Sequence, residues 1–230
     1  WAAYNWTALQ GTSIAGTLTR LAINKGSEYR VLAIAHDPVD MGGKIVHLGT
    51  PVSPLDESWN QLIIDAIFWL CPQPKARIAF DYTHNPYYTI DNWDNTPGAN
   101  PGYYEIWRND LVMRGYLVDK LFPSVEGNLT SQRLSPYQAL VVVLPDGTFG
   151  HNYTSAEVAD VSDWVNSGGG LLVLGDNWSG SLIVPNEILN YLLSPYNLEM
   201  NEGGNSGTPV DVYDEEFHPT TEGCTQLYLR

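Results

Sequence analysis

Positive charge is what this sequence has least of. Eleven Lys and Arg stand against 26 Asp and Glu, a formal net charge of −15. A field of that sign repels nucleic acid and anionic lipid, which both require a cationic footprint, so neither is expected as a partner. Long apolar runs are also missing. The longest candidate, Leu62 to Leu70, is interrupted by Asp65 and falls well short of the roughly 18 residues of a membrane span. Cysteine is scarce, with only Cys71 and Cys224, which rules out Cys-x-x-Cys, haem-attachment and zinc spacings. The two form either a disulfide in an oxidising compartment or a pair of inert core thiols, and both alternatives stay open. No basic and apolar leader opens the chain. Trp1 is expected to follow a removed segment or to mark where a longer chain was cut.

What is present is aromatic and β-branched. Hydrophobic residues make up 43% and aromatics 12% of 230 residues, enough for a sizeable core and too much for global disorder. Tyr137 to Asp176 spell a complete β–α–β unit. Residues 138–145 form a continuous apolar run, as in a parallel strand covered on both faces. Thr154 with Glu157 three residues on is a capping box, and Val158, Val161 and Val165 follow at helical spacing. Gly168, Gly169 and Gly170 stop that helix before a second buried run, 171–175, ending at Asp176. Right-handed crossovers of this kind build an open α/β sheet.

Elsewhere the pattern predicts short strands over 29–35 and 44–49, joined by a hairpin-like connection, and only weak alternation over 17–23. A helix is expected over 55–70, broken by Pro72 and Pro74, which sets a division into 1–74 and 75–230. The second part opens with a strand over 76–80, followed by a long loop rich in Tyr, Asn, Pro and Gly over about 85–102. A helix over 103–114, an edge strand over 116–122 and a helix beginning near Pro185 complete the pattern. From Pro195 onward the chain reads as loop until 224–229.

Several of these segments carry a resemblance. Phe80-Asp-Tyr-Thr-His84, the Tyr116 strand after a Gly, residues 135–143, Trp164 to Asp176 with its Gly-Gly-Gly-Leu-Leu-Val-Leu-Gly-Asp run, and His218 to Gly223 are similar to the class I glutamine amidotransferase-like superfamily. The branch they resemble is a poorly characterised one found in archaeal and bacterial surface proteins. The resemblance implies a flavodoxin-like, open and mostly parallel sheet with helices on both faces. It also implies an unusual segment order, because 29–35, 44–49 and 60–70 look like the end of such a domain placed before its beginning. A circular permutation, an end of one domain joined to most of another, and exchange of the N-terminal segment between subunits are three ways to satisfy this. One complementary sheet, within or between chains, is expected over two orphan halves, whose strand edges would stay unpaired.

Amidotransferase chemistry requires a cysteine on a tight turn after a central strand, activated by a His that a carboxylate orients. Asp176 occupies the matching position, and a carboxylate cannot form the thioester. The leading expectation is therefore a non-catalytic, secreted or cell-surface structural or interaction module. Its expected partners are further copies of itself, including filaments, or another surface protein. Asn5, Asn128, Asn152 and Asn177 head sequons, of which about two are expected by chance in a chain this rich in Asn, Ser and Thr. The rival expectation is a hydrolase or carbohydrate-binding domain in which Asp81, His84 and Asp176 converge as acid, base and orienter or as metal ligands. Against it stands the reading that Asp81 and Asp176 bond the amides of following turns. Tyr82, Tyr87, Tyr88, Trp93, Tyr103 and Tyr104 form the better binding candidate, suited to sugar stacking or a protein interface, or else they pack the loop over its own domain. No cofactor is expected. Calcium is the one ion considered, through Asp91 and Asp94 or Asp211, Asp214, Glu215 and Glu216, none of which follows an EF-hand pattern.

Overall fold

The computed structural model describes residues 3–4, 16–24, 30–38, 42–49, 57–73, 75–94, 100–145, 152–176, 183–201, 211–213, 219–221 and 227–228. Their strands are β1 (Ala3–Tyr4), β2 (Gly16–Asn24), β3 (Arg30–Pro38), β4 (Lys44–Leu48), β5 (Arg77–Asp81), β6 (Leu117–Leu121), β7 (Ala139–Val143), β8 (Gly170–Leu174), β9 (Met200–Asn201), β10 (Asp211–Tyr213) and β11 (Leu227–Tyr228). The helices are α1 (Glu57–Leu70), α2 (Glu105–Met113), α3 (Ser131–Leu134), α4 (Ser155–Asn166) and α5 (Ile183–Leu193).

All strands share one sheet, whose main path runs β11-β10-β2-β3-β4-β8-β7-β5-β6. The stretch β4-β8-β7-β5-β6 is parallel throughout, and β3 adds to β4 antiparallel. The molecule is thus α/β, with a mostly parallel six-stranded centre. Every residue of β7 and β8 is buried, which is why both read in sequence as unbroken apolar runs rather than alternations. The N-terminal hairpin belongs to the same sheet: Ile45, Val46 and Leu48 pair in register with Leu171, Leu172 and Leu174 of β8.

The order of strands fixes the layers. The chain passes from β4 through α1 to β5 and through α2 to β6, always toward one edge of the sheet. It then returns through α3 to β7 and through α4 to β8, toward the other edge. Right-handed crossovers place α1 and α2 on one face and α3 and α4 on the opposite one, in agreement with the α1–α2 and α3–α4 contacts. Leu62, Ile63, Ala66 and Ile67 of α1 are fully buried, and α1 packs on β4 and β8.

Two features differ from the sequence pattern. The stretch after Pro195 is not loop throughout: β9 pairs with β1 and β10 with β2, in strands of two and three residues too short to show a period. The weak alternation over 17–23 belongs to a nine-residue strand whose register shifts between Arg20 and Ile23, which interrupts the period of two. Among the described residues no helix is long and apolar enough to cross a membrane.

Candidate functional site

In an open α/β sheet, ligands bind beyond the carboxyl ends of the strands, where neighbouring connections leave in opposite directions. Here that point lies between β5, which leads into α2, and β7, which leads into α4. Asp81 closes β5, and the next three residues turn back on it. Its Oδ1 accepts from the Thr83 amide at 2.8 Å and the Thr83 hydroxyl at 2.6 Å. Its Oδ2 meets His84 Nδ1 at 2.8 Å and accepts from the Tyr153 hydroxyl at 3.0 Å. From the α4 side, Glu157 brings Oε1 to 3.5 Å from His84 Nε2. The Tyr153 ring lies against the imidazole, with centroids 3.9 Å apart.

The capping box holds Glu157 in place. Its Oε2 accepts from the Thr154 amide and hydroxyl, both at 2.8 Å, which leaves Oε1 for the imidazole. His84 is 2% exposed, and Asp81, Tyr153 and Glu157 are buried with it. Burial alone would lower the His84 pKa, but the Asp81 carboxylate and then Glu157 outweigh it and raise it to about 9. Burial works against Glu157 as well, yet the bonds from His84 and Thr154 bring its carboxyl down to about 2. At neutral pH the group is an imidazolium clasped by two carboxylates. That arrangement stores charge and holds two chain segments together, but it offers no free base.

Asp176, expected to converge with Asp81 and His84, stands apart. It follows β8, and β7 lies between β8 and β5, a separation of about 10 Å at ordinary strand spacing. Its Oδ2 accepts from the Tyr88 hydroxyl at 2.7 Å, while its backbone exchanges hydrogen bonds with the Asn186 side chain at 3.2 and 3.0 Å. The turn-amide reading holds for Asp81 through Thr83. Asp176 instead has a tyrosine partner.

Most of the aromatic candidates are used internally. Tyr82, Tyr88 and Tyr104 are buried, Tyr87 and Tyr103 are half-buried against the core, and Trp93 alone stands out, 92% exposed. The Tyr82 hydroxyl donates to Asp94 at 2.5 Å and accepts from the Ile90 amide at 3.0 Å. The acidic run considered for calcium is answered by cations. Lys120 Nζ lies 2.6 Å from Asp91 and also bonds Asp94, and Arg108 bonds Asp91. Among the described residues no group of three His, Cys, Asp or Glu side chains is placed to hold a metal ion.

Cys71 is a free, buried thiol bonded to the Ile67 carbonyl at 3.3 Å, and burial pushes its pKa up to about 12. Asn152 is exposed and Asn128 half-buried. Cys224, Asn5, Asn177, Asp214, Glu215, Glu216 and His218 lie outside the described residues. Sequence reading missed Tyr153, Lys120 and Arg108, and saw Glu157 only as a cap. Their partners lie 17 to 73 residues away in the chain, and no local spacing announces such pairs. No family model, curated protein or solved structure matches the chain.

Proposed function

We propose that the chain is a non-catalytic interaction module of a secreted or cell-surface protein, N-glycosylated, and built on a flavodoxin-like sheet related to the class I amidotransferases. The observation that carries this reading is the state of the two strand ends where chemistry would take place. After β8, where the resemblance calls for a thiol, the Asp176 carboxylate is buried and occupied by Tyr88. After β5, His84 is closed between Asp81 and Glu157, with its pKa raised to about 9. In both clusters the carboxylates are held by neighbouring side chains, as a scaffold requires, and neither cluster presents a nucleophile to solvent. The parallel β4–β8 pairing within the chain supports segment complementation as the way the sheet is built. Self-association through exchange of that hairpin would reuse the same contacts between copies.

The test combines secretion from a glycosylating host, intact-mass analysis, light scattering and hydrolysis assays. Glycan mass on Asn128 or Asn152, a concentration-dependent oligomer, and no turnover of glutamine, esters or glycosides are expected. Turnover that disappears in His84→Ala would replace this reading with the second one, a hydrolase at the switch point. That alternative rests on the 2.8 Å Asp81–His84 contact.

A further inference from the structure

Residues 85–94 cross the sheet where its ligand crevice should open. The segment leaves β5, bonds the end of β7 through Tyr87 N to the Leu144 carbonyl at 2.8 Å, and reaches Asp176 beyond β8 through Tyr88. It therefore lies across three strand ends, with the Asp81–His84–Glu157 cluster at the same edge. We propose that this segment is a releasable strap, latched by Lys120 and Arg108, whose opening uncovers the carboxylates of the switch-point crevice. This goes beyond the module reading, because it gives the closed scaffold an open state.

Three independent observations carry it. First, the strap is tied to its own return arm at residues 100–102. Asn100 N donates to the Tyr87 carbonyl at 2.6 Å, Thr89 N to the Asn100 carbonyl at 3.3 Å, and Gly102 N to Thr89 Oγ1 at 2.9 Å. The two ends carry left-handed backbone, Asn85 at φ 51° and Gly102 at φ 68°, and a Cβ on Gly102 would come within 2.0 Å of Asn92 Oδ1. Second, its tip is held by charge at the rim: Asp91 and Asp94 face Lys120 of β6, and Arg108 of α2 bonds Asp91. Those four side chains keep between 13 and 28% exposure, so dissolved salt still weakens the latch, though less than it would a fully exposed pair. Third, the closed state leaves a donor unmet. Tyr104 is fully buried beside Tyr88, and its hydroxyl has no hydrogen-bond partner among the described residues. Opening the strap gives that hydroxyl water.

Native-state hydrogen exchange of the intact chain tests the proposal. The Tyr87, Ile90 and Tyr104 amides, which bond Leu144, Tyr82 and Thr89 respectively, are expected to exchange as one group and faster than Val141 and Leu172 of the central strands. Lys120→Met is expected to speed that group by about fivefold and leave Val141 and Leu172 unchanged. Raising the salt concentration on the wild-type chain is expected to act in the same direction, so the result does not depend on the variant folding. Strap amides that exchange at the rate of the central strands, or that ignore both salt and Lys120→Met, would overturn the proposal.

Discussion

Two of the buried histidines, His84 and His47, respond to pH in opposite senses, and their surroundings explain why. His84 sits between carboxylates, and its pKa rises from 6.5 to about 9. Its contribution to stability is complete below pH 6.5 and is lost as pH climbs through about 9. Glu157, brought from 4.5 down to about 2, contributes fully above pH 4.5 and fails as pH falls through about 2. The pair is therefore strongest between pH 4.5 and 6.5. His84→Ala strands two buried carboxylates and is expected to cost about 3–5 kcal/mol at pH 6, measured by urea unfolding. The stability lost by the wild type between pH 6.5 and 9 is expected to be absent in that variant. His47, wholly buried on β4, is pushed down to about 3 by desolvation. It folds neutral, so below pH 6.5 the unfolded chain takes up a proton that the native state refuses, and stability falls toward pH 3. His47→Gln is expected to move the acid-unfolding midpoint to lower pH in a circular-dichroism titration. An unchanged midpoint would show that another group governs acid unfolding. At this scale the sequence exposed Asp81, His84 and Asp176, because strand ends are readable from apolar runs. It could not reveal that β7 keeps Asp176 from the other two, since strand order is a property of the folded sheet.

Among the elements, the β–α–β unit was legible almost to the residue. Its strands are uniformly buried, and its helix carries both halves of a capping box in sequence. That legibility hid a second role. Thr154 not only caps α4 but also fixes the Glu157 rotamer that meets His84. Thr154→Ala is expected to cost more than the ordinary cap loss of about 1 kcal/mol. In a double-mutant cycle with His84→Ala the two losses are expected to be less than additive, because each removes part of the same contact. Strict additivity would mean that the cap and the imidazole act independently. Thr130 and Thr154 cap α3 and α4 and also complete the sequons of Asn128 and Asn152. Those two Asn-x-Thr patterns therefore have a folding reason of their own. The four-residue α3 and the three-residue β10 escaped the sequence pattern because neither is long enough to complete two hydrophobic periods.

For the molecule as a whole, the question is whether residues 1–73 can be dispensed with. Sequence order suggested that the N-terminal hairpin and helix complete a sheet begun elsewhere, and the β4–β8 register supplies the partner. Without them β8 would lose a neighbour along its entire length, and Leu171 to Leu174, buried on both faces, would border solvent. Leu62, Ile63, Ala66 and Ile67 of α1 cover the same strands from above. A protease site inserted at Gln73, exposed between α1 and β5, allows the two parts to be separated after folding. The cut chain is expected to elute as one species and to dissociate only in denaturant. Residues 75–230 expressed alone are expected to aggregate, since an uncovered apolar strand edge is a template for pairing with other copies. Co-expression with residues 1–73 is expected to restore the solubility and elution position of the intact chain. A stable, monomeric 75–230 fragment with native circular dichroism would show that the parallel strands close a core of their own. The hairpin would then be an addition to the sheet rather than part of its centre.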